Sequence, residues 1–416
     1  MFKKILSLAL VVVMAASLCL GLASCKKEDE KTGEQVTILE DVALGAKFTV
    51  PEDFKIGFIL LHDESSTYDL NFINAVNKVK AHLGLKDDQI IIEKNISEEG
   101  NDCYDAAKRL VTKGCKIVFA DSFGHEANMI KAAQENPNVQ FCHATGTQAG
   151  LENVPSNYHN AFASIYEGRY LAGVAAGLKI KEMIDSGKIK KEEAVIGYVG
   201  AFPYAEVVSG YTSFFLGARS VCPDVTMKVR YTRMWYDYTK EKQAAESLIK
   251  NDKCVLISQH ADSMGAPEAC ETAGVPNVSY NGSTVLSCPK TFVISSAINW
   301  APYFYYIIDG AVNNKTIDAN WCGTLATGSV VLSKLNKDAA TSDTVEKLKA
   351  VVKDFEAGKI HVFSTDSYTV KGEKQTSYKV EGHEVIKDGY FAESDFRSAP
   401  YFDVRIDGIT ELNVDN

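Results

Sequence analysis

The 416-residue sequence contains none of the short motifs that mark common catalytic and cofactor-binding centres. It has no Gly-x-Ser-x-Gly elbow, no phosphate loop ending in Gly-Lys-Ser or Gly-Lys-Thr, no dinucleotide Gly-x-Gly-x-x-Gly and no His-Glu-x-x-His. No two histidines lie at the helical spacing used by zinc proteins. We therefore expect no metal and no cofactor. Catalysis needs only a few residues from anywhere in a chain, so an enzyme is disfavoured rather than excluded.

Cysteine pairs at metal or redox spacing and an excess of positive charge are also absent. None of the ten cysteines forms a Cys-x-x-Cys motif, and several lie in apolar runs. We predict that most are small core residues, with one or two disulfides left open. The net charge of −10 becomes −12 if residues 1–24, with Lys3 and Lys4 and no acid, are removed. Such an acidic chain is not expected to bind nucleic acid.

The N-terminus resembles an export signal. Met1-Phe-Lys-Lys4 is basic, the run from Ile5 to Leu22 is almost entirely apolar, and Leu22-Ala-Ser-Cys25 follows. The last four residues match the bacterial lipoprotein pattern, in which the cysteine is lipidated and becomes the first residue of the mature protein. We therefore predict a signal peptide over 1–24, lipidation at Cys25, and a cell-membrane location on the extracytoplasmic face.

Strand-like and helical stretches alternate from Lys55 onwards, and this alternation restarts after a helix with many small residues that begins near Tyr166. The pattern predicts an α/β fold with parallel sheets covered on both faces. The length favours two domains. We expect a tether over 25–52, one lobe over 53–162 plus about 291–328, and a second lobe over 163–290 plus about 329–416.

Several predicted strands end in segments that combine rings with amides or carboxylates. The stretch from Cys254 to Cys270 shows this best: a short apolar run stops at Gln259, His260 and Asp262, and a helical pattern follows. Ligands of open α/β sheets bind beyond the carboxyl ends of the strands. Planar polar molecules need stacking faces and a few fixed hydrogen-bonding groups at their edge. The sequence therefore predicts a site for such a molecule.

Each of these residues has a simpler interpretation when taken alone. Asp121, Asp237 and Asp262 have the residue type and position of helix caps. Phe123 and Phe202 could be core residues that follow a strand. Only their recurrence at several strand ends favours binding.

Six further segments are distinctive: Lys55-Ile-Gly-Phe, Asp69-Leu-Asn-Phe72, Ile117-Val-Phe-Ala-Asp-Ser-Phe-Gly124, Glu167-Gly-Arg-Tyr-Leu-Ala-Gly-Val-Ala-Ala-Gly177, Ile196-Gly-Tyr-Val-Gly200 and Ser209-Gly-Tyr-Thr-Ser-Phe-Phe-Leu-Gly-Ala218. In these segments the chain resembles the basic membrane protein family of lipoprotein receptors, which are purine-nucleoside-binding solute receptors of ABC importers. The resemblance covers about Lys55 to Gly328. It implies the type I periplasmic-binding-protein fold, in which a three-segment hinge joins two Rossmann-like lobes.

The resemblance also implies a purine sandwiched between aromatic rings of the two lobes. Phe72 or Tyr68 would form one face and Phe202 the other. Asp121 and Ser122 would then lie near the base, and Asp262 near the sugar. The chain has Asn299-Trp300 where family members commonly place a ribose-contacting lysine, and Gln259-His-Ala-Asp262 in place of a glycine-rich loop. A free purine base or a flavin therefore remains an alternative to a nucleoside.

These observations together predict a lipid-anchored solute receptor that closes on its ligand and delivers it to an ABC permease. The two rival interpretations are a lipid-anchored nucleoside or sugar hydrolase that uses Asp121, Asp262 or His260, and a sensor that docks to a signalling partner. The predicted ligand-binding residues are Tyr68, Asp69, Asn71, Phe72, Asp121, Ser122, Phe123, Phe202, Trp235, Gln259, His260, Asp262, Tyr280, Asn299 and Trp300.

Overall fold

A computed structural model describes residues 32–414 of the chain. The predicted signal peptide and Cys25 lie outside the described residues. Within residues 32–414, no helix combines the length and the apolar character needed to span a membrane. The fold is α/β with two mainly parallel sheets, as the alternation of strands and helices predicted.

The strands, in chain order, are β1 Gln35–Val36, β2 Lys55–Ile59, β3 Ile90–Glu93, β4 Cys115–Ala120, β5 Gln140–Ala144, β6 Tyr158–Ala163, β7 Val195–Gly200, β8 Thr226–Tyr231, β9 Leu256–His260, β10 Asn277–Tyr280, β11 Phe292–Ile298, β12 Asn320–Gly323, β13 Val330–Leu332, β14 Leu335–Asn336, β15 Lys379–Val380, β16 His383–Glu384, β17 Ile386–Lys387, β18 Tyr390–Phe391 and β19 Ile409–Glu411. The helices are α1 Thr67–Leu83, α2 Asp102–Thr112, α3 Glu126–Glu135, α4 Ile165–Asp185, α5 Ala205–Arg219, α6 Tyr238–Lys250, α7 Gly265–Ala273, α8 Ala301–Asn313 and α9 Thr344–Glu356.

The first lobe is built on a six-stranded parallel sheet in the order β12-β6-β5-β4-β2-β3. β4 is a continuous apolar run because its neighbouring residues pack on opposite faces of the sheet. Phe119 packs with α1 and α8 on one face, whereas Val118 packs with α2 and α3 on the other. Helices therefore bury both faces of the sheet, as in other parallel sheets.

The second lobe is built on a seven-stranded sheet in the order β13-β11-β10-β9-β7-β8-β19. Only the edge strand β13 runs antiparallel to its neighbour. Helices α4, α5 and α9 cover one face, and α6 and α7 cover the other. The small residues of α4 permit close helix packing: a Cβ atom on Gly173 would lie 2.0 Å from the Phe214 carbonyl oxygen of α5.

The chain passes between the two sheets after β6, after β11 and after β12, which gives the three-segment hinge of the expected fold. The boundary predicted near residue 291 falls before β11, yet β11 pairs with β10 in the second lobe. The chain returns to the first lobe only with α8. The apolar character of β11 is the same as that of first-lobe strands, so the sequence alone could not assign it to either sheet.

Residues 32–52, which the sequence predicted to be a tether, pack on both lobes. β1 pairs antiparallel with β14, and Ile38 lies in the second-lobe core at 6% exposure. Further along, the Tyr305 hydroxyl of the first lobe donates to the Ala46 carbonyl oxygen at 2.8 Å. We call residues 34–50 the N-terminal strap, which forms a further connection between the lobes. Its apolar residues show no strong helical or strand period before Phe48.

The C-terminal residues 359–414 wrap around the second lobe with little regular structure. β19 adds an edge strand parallel to β8. The buried carboxylate of Glu393 accepts hydrogen bonds from the Ser209 hydroxyl of α5 and from the amides of Tyr401 and Phe402. This segment is therefore an integral part of the second lobe.

Candidate functional site

A cleft lies where the carboxyl ends of the two sheets face each other, with about 380 Å³ of empty space that includes open solvent. In the first lobe, the lining residues follow β2, β4 and β5 or lie at the start of α1. In the second lobe, they end or follow β8, β9 and β10 or lie at the start of α5. The lining residues are Leu61, His62, Tyr68, Asp69, Asp121, Ser122, Phe123, Thr145, Glu206, Trp235, His260, Asp262 and Tyr280. This is the edge at which open α/β sheets bind ligands.

Nine of the fifteen residues predicted from the sequence line this cleft. They are Tyr68, Asp69, Asp121, Ser122, Phe123, Trp235, His260, Asp262 and Tyr280. The other six lie outside the lining and serve the surrounding structure: Asn71, Phe72, Phe202, Gln259, Asn299 and Trp300.

Three of these six are aromatic residues that pack behind the cleft. Phe72 stacks on Trp300 with ring centroids 4.6 Å apart, and both belong to the first-lobe core. Phe202 lies parallel to Tyr204, at 4.9 Å, and meets Trp235 edge-on at 5.1 Å. Phe202 therefore supports the ring of Trp235, and Trp235 is the residue that reaches the cleft.

The three polar residues outside the lining are held by protein partners. Gln259 accepts a hydrogen bond from Asn277 at 3.1 Å within the second sheet. Asn299 donates to the Gly328 carbonyl oxygen at 2.9 Å, beside the hinge. Asn71 donates to Asn281 of the other lobe at 3.3 Å, so it joins the lobes without lining the cleft.

Four lining residues were not among the predicted site residues: Leu61, His62, Thr145 and Glu206. Leu61, His62 and Thr145 follow the carboxyl ends of β2 and β5, and Glu206 lies at the start of α5. Glu206 is the second residue of α5, where an acid is favoured by the helix dipole, so its position alone did not distinguish a ligand contact from a helix-terminal charge.

Two aromatic residues from opposite lobes are held in place at the cleft. Tyr68 lies in the first turn of α1, and the Tyr68 hydroxyl donates to the Asp121 carbonyl oxygen at 2.8 Å. Ser66 caps this helix by accepting from the Asp69 amide at 3.2 Å. Trp235 lies in the loop after β8, and its carbonyl oxygen accepts from the Asp262 amide at 3.0 Å. A flat ligand could therefore contact a fixed ring from each lobe.

The first lobe contributes two neighbouring carboxyl groups. Asp121 accepts from the Leu61 amide at 3.0 Å, and Asp69 accepts from the His62 amide at 2.7 Å. Burial, and then the adjacent Asp69, raise the pKa of Asp121 well above its usual value. Burial also opposes ionisation of Asp69, but hydrogen bonds from His62 and Ser66 outweigh it and lower the pKa of Asp69. The pair therefore holds a proton on Asp121 and a negative charge on Asp69.

The second lobe contributes Asp262 and Glu206. Burial, followed by Glu241, Asp69 and Glu206, raises the pKa of Asp262 well above its usual value. His260 contacts Glu206 through Nε2 at 3.3 Å and packs on Tyr280 with ring centroids 4.4 Å apart. Burial lowers the pKa of His260 in spite of the opposing effect of Glu206. The imidazole is therefore neutral near pH 7.

The two lobes touch each other around the cleft. Asn281, which accepts from Asn71 of the first lobe, donates in turn to the Asp262 carboxyl group at 3.2 Å. At the mouth, Phe123 of the first lobe lies 5.5 Å from Tyr204 of the second, and both are 43% exposed. These contacts show a closed arrangement of the lobes.

Comparison with known proteins places this chain in a family. Residues 59–362 match the family described as Bmp, ABC transporter substrate-binding protein PnrA-like. The chain belongs to this family. It is a family of substrate-binding proteins rather than enzymes. The match leaves the whole N-terminal strap and residues 363–414 outside it. The resemblance stated from the sequence is thereby confirmed.

Two related proteins are similar to this chain in sequence. A purine-binding protein of Brucella abortus is 34% identical over 282 residues, which cover 67% of this chain and 73% of the relative. A putative ABC transporter glucose-binding protein of Haloferax volcanii is 33% identical over 219 residues, which cover 52% of this chain and 51% of the relative. The chain therefore spans about half the length of the second relative.

Solved structures confirm the fold. An ABC transporter solute-binding protein from Conexibacter woesei superimposes with a TM-score of 0.59 at 17% identity, covering 74% of this chain and 98% of that one. A solute-binding protein from Aeropyrum pernix gives a TM-score of 0.58 at 15% identity, covering 76% and 88%. Both agree with the type I periplasmic-binding-protein fold.

Proposed function

We propose that this Bmp-family protein is a lipid-anchored extracytoplasmic receptor that captures a purine nucleoside or a related flat heterocycle and delivers it to an ABC permease. The observation that carries this proposal is the pair of rings, Tyr68 and Trp235, which approach one cleft from opposite lobes. Carboxyl groups of both lobes surround the same cleft. Rings supply affinity for a flat ligand, and the polar groups supply selectivity because an unmatched buried polar group is costly.

Among the alternatives we favour a purine base or nucleoside over a flavin. The name of the Brucella abortus relative agrees with a purine.

The proposed mechanism is closure of the two lobes around the ligand. Ligand first contacts the groups of one lobe, and its additional contacts with the other lobe exist only in the closed form. That difference in contacts shifts the equilibrium towards closure. The contacts from Asn71 to Asn281 and from Phe123 to Tyr204 would form in the same step.

We also propose that Cys25 carries the lipid that holds the receptor at the membrane, on the strength of the Leu22-Ala-Ser-Cys25 pattern. The native chain should partition into the membrane fraction, and its mass should exceed that of the cleaved polypeptide by the mass of the lipid. A Cys25→Ala variant should lose both properties. Recovery of that variant in the membrane fraction would argue against this anchor.

Ligand identity can be tested by denaturing the purified protein and analysing the released small molecules by mass spectrometry. We expect a purine compound, bound at one molecule per chain and chemically unchanged after incubation. Turnover of an added nucleoside would instead support the hydrolase interpretation. Recovery of a sugar, as the name of the Haloferax volcanii relative would suggest, would contradict the stacking argument.

A further inference from the structure

A second cavity lies on the second lobe and shares no lining residue with the cleft between the lobes. It has about 610 Å³ of empty space that includes open solvent. Its walls are the first turn of α4, the end of α9 and parts of the C-terminal segment 359–414. The family match ends at residue 362, so most of the C-terminal wall lies beyond the matched region. The cavity is thus a feature that the C-terminal segment adds to the second lobe.

Three aromatic rings that keep part of their surface exposed line this cavity: Tyr166, Phe355 and Tyr390. Tyr390 stacks on His361 with ring centroids 3.9 Å apart, and Tyr166 packs against Phe363 at 5.4 Å. Neighbouring rings therefore hold both tyrosines in position. Several aromatic rings around one cavity are typical of sites that bind organic cations, because the face of a ring attracts positive charge.

The cavity is also acidic. The carboxyl groups that line it are those of Glu167, Glu393 and Asp395, and none of its lining residues is a lysine or an arginine. Two of these acids already have strong partners, since Glu393 accepts from the Ser209 hydroxyl and two amides, and Asp395 pairs with Lys387. Glu167 is therefore the acid whose charge the protein does not compensate.

Glu167 lies beside the hinge. Its carboxylate accepts from the Leu325 amide at 2.7 Å, and Leu325 belongs to the chain crossing between β12 and β13. Burial raises the pKa of Glu167 to about 7, and this hydrogen bond opposes the rise only in part. A carboxylate that is buried without a counter-ion gains stability when a cation comes close.

The position of Glu167 has a simpler explanation when it is taken alone. An acid in the first turn of a helix is favoured by the helix dipole, and Glu167 lies in the first turn of α4. That explanation accounts for the acid. It does not account for the three rings that surround the same cavity or for the lack of basic residues in its lining.

We propose that this cavity binds a small organic cation, a quaternary ammonium or a protonated amine, at a site separate from the cleft. The cation lies against the rings of Tyr166, Phe355 and Tyr390, with Glu167 as its counter-ion. Both attractions are stronger where water is partly excluded. An anion would meet carboxyl groups and no lysine or arginine, and a neutral molecule would leave Glu167 without a counter-ion.

Choline and its neutral analogue 3,3-dimethylbutan-1-ol test the need for charge, because the two molecules have nearly the same shape. Isothermal titration would use the full chain in a non-ionic detergent at pH 8, where most of the Glu167 carboxyl group is ionised. We expect choline to bind at one site per chain, about tenfold or more tightly than the neutral alcohol. Equal affinities, or no binding of choline, would overturn the proposal.

The variant Glu167→Gln tests whether choline binds at this cavity. Glutamine keeps an oxygen that can accept from the Leu325 amide, but it has no charge. We expect the affinity for choline to fall by about tenfold or more, and the affinity for the neutral alcohol to change by less than about twofold. The matched control is Glu346→Gln, an exposed acid in the first turn of α9 that does not line the cavity. This control should leave the affinity for choline unchanged.

A second variant, Phe355→Leu, removes a ring and keeps an apolar side chain. We expect it to lower the affinity for choline by about threefold or more, because leucine offers no ring face to the cation. Choline binding that both Glu167→Gln and Phe355→Leu retain would overturn the proposal. None of these measurements involves a purine, so that outcome would leave the proposed receptor function in place.

Discussion

Thr67 donates two hydrogen bonds to the carbonyl oxygen of Asp262, from its amide at 2.9 Å and from its hydroxyl at 3.1 Å. The two residues belong to opposite lobes and lie 195 positions apart in the chain. Thr67 is the first residue of α1, and Asp262 follows β9 at the cleft. The same segment of the second lobe thus lines the ligand cleft and joins the first lobe, so ligand binding and closure share one structural element.

Replacing Thr67 by valine should weaken ligand binding. The change removes the hydroxyl donor but keeps the side-chain shape and the amide bond, and only the closed form loses a contact. We expect affinity to fall by about 0.5–1.5 kcal/mol, the usual value of one hydrogen bond. Titration calorimetry would measure it. The same change at exposed Thr112, whose hydroxyl bonds only to Lys108 in its own helix, should have no effect on affinity. Equal losses in both variants would argue against the cross-lobe role.

Trp235 and Phe202 should differ in their effect on binding. We expect Trp235→Ala to weaken binding by about 1–3 kcal/mol, because the cleft loses one of the rings that line it. Phe202→Ala should cost less, since Phe202 acts through the position of Trp235. Calorimetry on both variants with the same ligand would decide the order. A greater loss from Phe202→Ala would restore it as the stacking face.

The position of the cleft could be predicted from the sequence because polar segments that follow buried strands gather at one edge of each sheet. Which residue of a segment faces the ligand was harder to predict. Gln259 and His260 are neighbours on β9, and successive strand residues point to opposite faces. Both faces of β9 are buried, so hydrophobicity could not distinguish them. His260 lines the cleft, whereas Gln259 bonds to Asn277.

The sequence also could not show which aromatic residue of α1 lines the cleft. Phe72 lies one helical turn after Tyr68 on α1 and therefore shares its face. Tyr68 lines the cleft, while the wholly apolar Phe72 stacks on Trp300 in the core. Periodicity identifies the face of the helix, but only the fold shows where the core ends and the cleft begins.

Arg169 should be indispensable to the stability of the second lobe. It is fully buried, and its terminal nitrogens donate to the Ser279 carbonyl oxygen and to the hydroxyls of Ser296, Tyr198 and Ser258. Lysine keeps the charge but cannot reproduce the planar fork that reaches these partners. We expect Arg169→Lys to lower the free energy of unfolding by about 2–4 kcal/mol. Chemical denaturation would measure this loss.

The matched control for Arg169 is Arg109, which pairs with Glu93 on the surface of the first lobe. Arg109→Lys should change the free energy of unfolding by less than about 1 kcal/mol, since exposed ion pairs contribute little. If Arg169→Lys were as mild as this control, the buried network would not be a principal support of the lobe.

Glu393 should make stability depend on pH. Burial raises its pKa to about 7 in the folded protein, from an ordinary value near 4.5. Between these values the folded state binds the proton more tightly than the unfolded state does. The resulting stability is present at low pH and is lost as pH rises from about 4.5 to 7. Burial raises the pKa of Glu167 and Glu241 to about 7 as well, so they contribute in the same direction.

The variant Glu393→Gln should remove one part of this dependence. Glutamine retains an oxygen that can accept from the Tyr401 and Phe402 amides, and it carries no charge. Above pH 7 we expect it to be more stable than the native chain by up to about 3 kcal/mol, with a smaller difference towards pH 5. Urea denaturation across this pH range would measure the difference. A difference that does not vary with pH would show that Glu393 is already ionised throughout.

The N-terminal strap allows a direct test of whether residues 34–50 form part of the folded body. Ile38 is 6% exposed in the second-lobe core, whereas Val42, four residues later, is 41% exposed. If the strap is packed, Ile38→Ala should lower the free energy of unfolding by about 2–4 kcal/mol, because it leaves a cavity in that core. Val42→Ala should lower it by less than about 1 kcal/mol. A free tether would make both changes neutral, so equal and negligible effects in denaturant titrations would contradict the packed strap. A large effect of Ile38→Ala alone would show that this segment is packed on the second lobe.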